Sequence, residues 1–140
     1  MSAKADCEKL LNAVLPFAEE LLGKEGEFFP YGGAMAPDGA FVSVAADDGR
    51  EQPPSVDIIH LIKSGFVTGA NDGSYKATAL VYDVRITLPG DGVTSDAIAI
   101  DLDHRDGYSM TVMFPYALEP HGLSIGEPIA QVGEFDIFPT

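Results

Sequence analysis

Apolar residues near the N-terminus recur every three or four positions, the spacing that places side chains along one face of a helix. Pro16 falls within this stretch, and because proline lacks a backbone N–H group we expect it to kink or split the helix. The sequence therefore predicts an amphipathic first helix over residues 5–24. Its apolar stripe consists of Leu10, Leu11, Val14, Leu15, Ala18, Leu21 and Leu22.

Two apolar runs at residues 28–36 and 40–46 flank the turn sequence Ala-Pro-Asp-Gly-Ala. Pro37 and Asp38 suit the central positions of a type I turn, and Gly39 can take the left-handed conformation that follows it. These two runs are therefore predicted to form a β-hairpin.

A polar loop at residues 47–54 leads to a second helical pattern, VDIIHLIKSGF. Ser55 is a suitable N-cap, and Asp57 is favourable in the first turn of a helix. Three glycines follow at short intervals, so we expect this helix to end near Ser64.

The second half of the chain has the composition of β-strands, with many β-branched and aromatic residues. Its connections are short, which favours antiparallel pairing. We predict a single α+β domain over residues 1–140, with an antiparallel sheet of about five strands, two helices on one face, and the element order α-β-β-α-β-β-β(-β). The predicted strands lie at 75–88, 96–105 and 108–116, with one or two short ones in PIAQVGEFDIF.

The stretch AIAIDLDHRDGYSMTVMF contains the highest density of charged groups. A three-residue loop of Arg105, Asp106 and Gly107 would place the apolar residues of both neighbouring strands on one face. His104 would then lie on the opposite face from Asp101 and Asp103, so these three side chains could not meet at one ion. We therefore interpret the stretch as a hairpin.

Polar residues of the preceding strand suggest a larger cluster. If the two strands pair with residue 83 near 101, then Asp83, Arg85, Asp101 and Asp103 share one open face of the sheet. Such a face could be a docking surface or a carboxylate metal site. The alternative is a solvated face with ion pairs worth about 0–1 kcal/mol each, and this is the interpretation we favour.

A second candidate site lies in the motif EFFPYGG. Phe29 and Tyr31 could line an apolar pocket between the first helix and the hairpin, or form a dimer surface. Glu27 beside them could be desolvated enough for acid–base chemistry. The alternative is that these aromatic residues anchor the first strand beneath the helix.

Charge limits the classes of partner. Eight basic and 22 acidic residues give a net charge of −14, which disfavours nucleic acid and anionic membranes. No catalytic set, cofactor motif or metal-ligand spacing occurs among the three histidines and the one cysteine, so no catalytic residue, cofactor or metal is expected. The single cysteine also favours a cytoplasmic location.

The runs EGEFFPYGGAMAPDGAFVSVAA, ALVYDVRI and SDAIAIDLDHRDG resemble a group of small uncharacterised bacterial proteins with a Glu-Phe-aromatic-Pro-aromatic-Gly motif before a hairpin. This resemblance implies no activity. In architecture the chain also resembles acidic type III secretion chaperones, although those usually end in a helix and this chain ends in the strand-like GEFDIFPT.

Three functions follow as hypotheses. The first is a non-enzymatic cytoplasmic interaction or accessory protein that forms a homodimer and possesses an acidic surface able to bind another protein. The second is a small enzyme or ligand-binding domain that uses the pocket at Glu27. The third is a protein similar to secretion chaperones.

Overall fold

The computed structural model describes residues 2–46, 49–51 and 53–139. Within these ranges the chain forms two helices and one antiparallel sheet of seven strands. The helices are α1 (Ala3–Glu25) and α2 (Ser55–Asn71). The strands are β1 (Tyr31–Met35), β2 (Phe41–Val44), β3 (Ala77–Thr87), β4 (Thr94–His104), β5 (Tyr108–Glu119), β6 (Gly122–Ile125) and β7 (Ile129–Val132).

The strands lie in the order β2-β1-β3-β4-β5-β6, and β7 pairs with the first half of β5. Every pair is antiparallel, so the α+β class and the antiparallel sheet are confirmed, with seven strands instead of about five. Strand β6, which has four residues and is joined to β5 by a tight turn, was not predicted from the sequence.

The two helices lie on opposite faces of the sheet, so the prediction that both pack on one face was wrong. A Cβ atom on Gly33 would meet Val14 of α1, whereas one on the adjacent Gly32 would meet Phe66 of α2. All five residues of β1 and residues 77–81 of β3 are buried, and strands buried on both faces need cover on both sides.

Helix α1 runs through Pro16 without being split. The Ser2 hydroxyl caps its first turn, and Gly26 ends it at a φ of 76°. Its buried residues before and after the proline pack on the same sheet face, which holds the two halves in line. These residues are Leu10, Val14, Ala18 and Leu22.

Helix α2 continues seven residues beyond the predicted end at Ser64. Gly69 does not end the helix but makes room for a neighbour, since a Cβ atom there would lie 2.3 Å from the ring of Tyr75. A glycine needed for close packing and a glycine that ends a helix look the same in a sequence.

The three-residue loop between β4 and β5 is confirmed. His104 pairs with Tyr108, Leu102 with Met110 and Ile100 with Val112, and Gly107 has a φ of 84°. The β1–β2 turn also has its predicted form, with Gly39 at a φ of 93°. Within the described residues, no helix combines the length and the apolar character needed to cross a membrane.

Candidate functional site

Asp83 and Arg85 do not share a face with Asp101 and Asp103, contrary to the predicted cluster. Strand β3 pairs with β4 so that Asp83 lies opposite Ile98 and Leu80 opposite Asp101. This register differs from the predicted one by an odd number of residues, and such a difference moves every side chain of one strand to the other face. The first pair therefore lies on the α1 side of the sheet and the second on the α2 side.

The residues on the α1 side lie near the turn that joins β3 to β4. The Tyr116 hydroxyl donates a hydrogen bond to Asp83 Oδ1 over 2.9 Å. Arg85 pairs with Asp96 at 3.2 Å, and both side chains are more than half exposed, so this ion pair contributes little to stability.

The carboxyl groups on the α2 side are less exposed than the predicted solvated face would make them. Asp101 accepts hydrogen bonds from Thr111 Oγ1 at 2.8 Å and Tyr82 Oη at 3.2 Å. Asp103 is 5% exposed. This face is therefore not an open, solvated surface, and Asp103 cannot contact a partner protein while the surrounding residues stay in place.

The cover over Asp103 is the segment Gly133–Pro139, which we call the C-terminal strap. The Gly133 N–H donates to the Ser109 carbonyl at 3.0 Å, and the Phe135 N–H donates to Ser109 Oγ at 3.2 Å. Farther along, Lys63 of α2 pairs with Asp136 at 2.8 Å. Ile137 and Phe138 are buried in the core between α2 and the sheet.

Burial raises the pKa of Asp103 to about 6. The negative charges of Asp136 and Asp101 add to this shift, whereas a hydrogen bond from Ser109 and the charge of Lys63 oppose it. Burial also raises the pKa of Asp101 above its usual range. A cavity of about 280 Å³ between Asp103, the tip of the β4–β5 hairpin and the strap adjoins this group.

On the other face, the same end of the sheet contains a buried cluster that was not predicted from the sequence. His104 Nε2 lies 2.8 Å from Asp6 Oδ2, and Lys76 Nζ lies 3.3 Å from the same oxygen. The Asp106 N–H donates to His104 Nδ1 at 3.0 Å, so the hydrogen-bond pattern places the ring hydrogen on Nε2, from which it is donated to Asp6.

This cluster joins the first turn of α1 to strands β3 and β4. Asp6 and His104 are 2% and 3% exposed, and Asp6 Oδ1 has no hydrogen-bond partner. One sequence signal could have found Asp6: it precedes Leu10, Val14 and Ala18 at intervals of four, which places a carboxylate on the apolar stripe of the helix. The arrangement is that of a buried ion pair that fixes the helix on the sheet.

Cys7 lies beside this cluster and is fully buried. Burial raises the pKa of its thiol to about 12, and the nearby carboxylates of Asp103 and Asp6 add to the effect. Its surroundings therefore suppress the thiolate form, which is the reactive one.

We expect Cys7 to react with a thiol reagent such as dithionitrobenzoate only when the protein unfolds. The chain has one cysteine, so the absorbance change reports on Cys7 alone. In a time course at pH 8, the native protein should react far more slowly than the protein in guanidinium chloride. Equal rates in the two conditions would contradict the burial of this side chain.

The predicted pocket near Glu27 exists in part. A cavity of about 380 Å³ between the end of α1 and the chain leading into β1 is lined by Leu21, Glu25, Glu27, Phe28 and Phe29. Tyr31 does not line it, because this side chain is buried under α1 and its hydroxyl donates to the Val14 carbonyl. Glu27 is exposed to solvent, so burial does not prepare it for acid–base chemistry.

Strand β2 forms an edge of the sheet, and β1 lies between β2 and β3. The Ala36 N–H donates to the Ala40 carbonyl at 2.9 Å, and hydrogen-bonded pairs recur at every second residue of an antiparallel ladder. Val42 and Val44 therefore bond to β1, while the backbone groups of Phe41 and Ser43 point outward. The strand itself, Phe-Val-Ser-Val, contains no charge and no proline.

Two aromatic rings lie beside this edge and are about half exposed. Phe17 of α1 packs edge-on against Tyr31 with ring centroids 5.0 Å apart, and it is 51% exposed. Phe41 packs over Gly33 and is 48% exposed. Tyr31 and Gly33 are neighbours on the same face of β1, so the two rings extend the apolar surface of the β2 edge.

No group of three or more His, Cys, Asp or Glu side chains that could hold a metal ion occurs among residues 2–46, 49–51 and 53–139. Within the same ranges, His60 and His121 are exposed and His104 is held by Asp6. Comparisons with protein-family models, with curated proteins and with solved structures found no match to this chain.

Proposed function

We propose that this chain is a non-enzymatic interaction protein of the cytoplasm that forms a homodimer through the outer edge of β2. The observation that carries the proposal is an uncharged strand with outward-pointing backbone groups and two half-exposed aromatic rings beside it. Such an edge is a template for pairing with another strand, and proteins usually protect it with charges, proline or bulges.

A second copy of the chain fits this edge. Antiparallel pairing of two β2 strands about a two-fold axis would place Val42 on the axis and pair Phe41 with Ser43 of the other copy. Because each copy offers the same groups to the other, the interface is self-complementary. Phe17 and Phe41 of both copies would lose their exposed surface beside the new strand pair.

The net charge of −14 determines how salt changes the affinity of this association. Two acidic copies repel each other, and dissolved salt screens this repulsion over distances beyond about 10 Å at 0.1 M ionic strength. A homodimer should therefore become tighter as salt is added. A complex with a basic partner would instead become weaker.

Ser43→Pro is expected to convert the dimer to a monomer without unfolding the protein. Proline removes an outward-pointing N–H group that β1 does not use, and edge strands tolerate proline on that side. Sedimentation equilibrium over a concentration series at low and high salt measures the association. The matched control is Ser43→Ala, which keeps the N–H group and should remain dimeric.

Phe17→Gln provides a second variant that leaves the backbone of β2 unchanged. Loss of an exposed apolar ring beside the interface should weaken the dimer, and a thermal melt checks that both variants are folded. A wild-type chain that sediments as a monomer at every concentration and salt level contradicts the homodimer.

A further inference from the structure

The C-terminal strap packs closely against β5 of the sheet. A Cβ atom on Gly133 would lie 2.2 Å from Ser109 Oγ, so the strap approaches β5 as closely as a glycine allows. Two residues later, Phe135 has a φ of 56°, a left-handed conformation that costs free energy for a residue with a side chain. The strap is therefore held in place at a local cost.

The strap and the residues beneath it contain more carboxyl groups than nearby basic groups. Asp101 and Asp103 of β4 and Asp136 of the strap lie near Lys63 of α2, whose positive charge opposes the rise in the pKa of Asp101 and Asp103. Lys63 is already paired with Asp136 at 2.8 Å. When Asp103 ionises, a further negative charge is therefore buried beside two others.

Ser109 lies between Asp103 and the strap. It pairs with Asp103 in the β4–β5 ladder, its Oγ accepts from the Phe135 N–H at 3.2 Å, and its carbonyl accepts from the Gly133 N–H at 3.0 Å. Arg105 and Tyr108 line the same cavity as Asp103. Tyr82 donates a hydrogen bond to the neighbouring Asp101, and the negative charge of Glu134 helps to raise the pKa of Tyr82. The Asp103 carboxyl therefore lies beside the residue that binds the backbone of the strap.

We propose that the C-terminal strap is a proton-sensitive closure, which stays on the sheet while the Asp103 carboxyl carries a proton and loosens when that carboxyl ionises. Loosening releases residues 133–139 and uncovers Asp101 and Asp103 to solvent. The strap binds β5, whereas the proposed homodimer uses the β2 edge at the other end of the strand order. The proposal therefore does not depend on the homodimer.

The pH dependence follows from the pKa of Asp103. Burial under the strap raises this pKa to about 6, and in an open state it would return towards the usual value of about 4. The closed state therefore binds the proton more tightly, and raising the pH through about 6 favours opening. With these values the opening equilibrium rises about tenfold between pH 5 and pH 8.

Hydrogen exchange measured by NMR tests this proposal. The protection factors of the Gly133 and Phe135 amides, corrected for the intrinsic effect of pH on exchange, should fall about tenfold between pH 5 and pH 8. The amide of Val81, in the centre of the sheet, serves as the reference, and its protection factor should not fall between pH 5 and pH 8. In Asp103→Asn, which cannot ionise at this position, strap protection should be the same at both pH values.

Asp101→Asn is the matched control, because it removes the neighbouring carboxyl and leaves Asp103 in place. Strap protection in this variant should still fall with pH. Equal wild-type protection at pH 5 and pH 8 overturns the proposal and needs no variant. Loss of the pH dependence in Asp101→Asn but not in Asp103→Asn also overturns it, because the titrating group would then be Asp101.

Discussion

Replacing Gly32 with alanine is expected to lower the free energy of unfolding by about 3 kcal/mol. A Cβ atom at this position would lie 2.5 Å from the backbone oxygen of Ala79 and 2.8 Å from the ring of Phe66. The first contact is with the backbone of the paired strand β3, which cannot rotate away as a side chain can. The substitution must therefore push β1 and β3 apart or displace α2.

Two other glycines provide controls for this prediction, and urea unfolding compares all three. A Cβ atom on Gly33 would meet the ring of Phe41 at 2.6 Å and Val14 at 2.8 Å. Because Phe41 is half exposed and can move, Gly33→Ala should cost less. Gly23 lies within α1 with no atom within 4 Å of its Cβ position, so Gly23→Ala should stabilise by about 0.5–1 kcal/mol. If Gly32→Ala were at least as stable as Gly33→Ala, the result would contradict the close contact between β1 and β3.

Replacing Asp6 with alanine is expected to cost about 3 kcal/mol at pH 7. The substitution leaves the His104 Nε2–H and the Lys76 ammonium group without the carboxylate that both contact in a buried environment. It also removes a negative charge from the first turn of α1, where the helix dipole favours one. Breaking one partner of a buried pair is costly because the remaining charge stays desolvated.

The pH dependence of this cost has a defined sign. Burial raises the pKa of Asp6, but the hydrogen bonds from His104 and Lys76 and the charge of Lys76 outweigh it and leave the pKa below its usual range. A carboxyl group with a lowered pKa stabilises the fold above its unfolded value of about 3.9, and this stabilisation is lost as the pH falls through the folded value. The difference between wild type and Asp6→Ala should therefore narrow at acid pH.

Glu8→Ala is the matched control for Asp6→Ala. Glu8 lies on the same helix but is exposed, and its ion pair with Lys4 is 4.0 Å long, so its loss should change stability by less than about 0.5 kcal/mol. Urea unfolding of the three proteins at pH 7 and near pH 3 gives the required comparison. If Asp6→Ala were as stable as Glu8→Ala at pH 7, the buried cluster would not be what fixes α1 on the sheet.

The two faces of the sheet show where prediction from the sequence succeeded and where it failed. Within the β4–β5 hairpin, a loop of three residues and two clear apolar rows left one acceptable register, and that register was confirmed. Strand β3 is different, because residues 77–81 are buried on both faces and therefore do not alternate. Its register with β4 could not be read from the apolar pattern, and the predicted cluster of Asp83, Arg85, Asp101 and Asp103 was wrong for that reason.

For the candidate sites, too, the residue types were recognised from the sequence but their contacts were not. The aromatic residues around EFFPYGG were recognised, but whether each ring faces solvent depends on α1, which buries Tyr31 and leaves Phe17 exposed. The cluster of Asp6, Lys76 and His104 joins residues up to 98 positions apart in the chain. Pairing over such a separation depends on how the helix packs on the sheet.

By itself, the sequence determined the α+β class, the two hairpins with their turns, and the acidic charge that disfavours nucleic acid and anionic membranes as partners. These properties follow from local periodicity, from turn residues such as Gly39 and Gly107, and from composition. The tertiary structure decided which face each helix covers, which edge of the sheet stays open, and that the C-terminal strap buries Asp103. Those features depend on the register between strands and on contacts between distant segments, and a difference of one residue in register is enough to exchange the two faces of a strand.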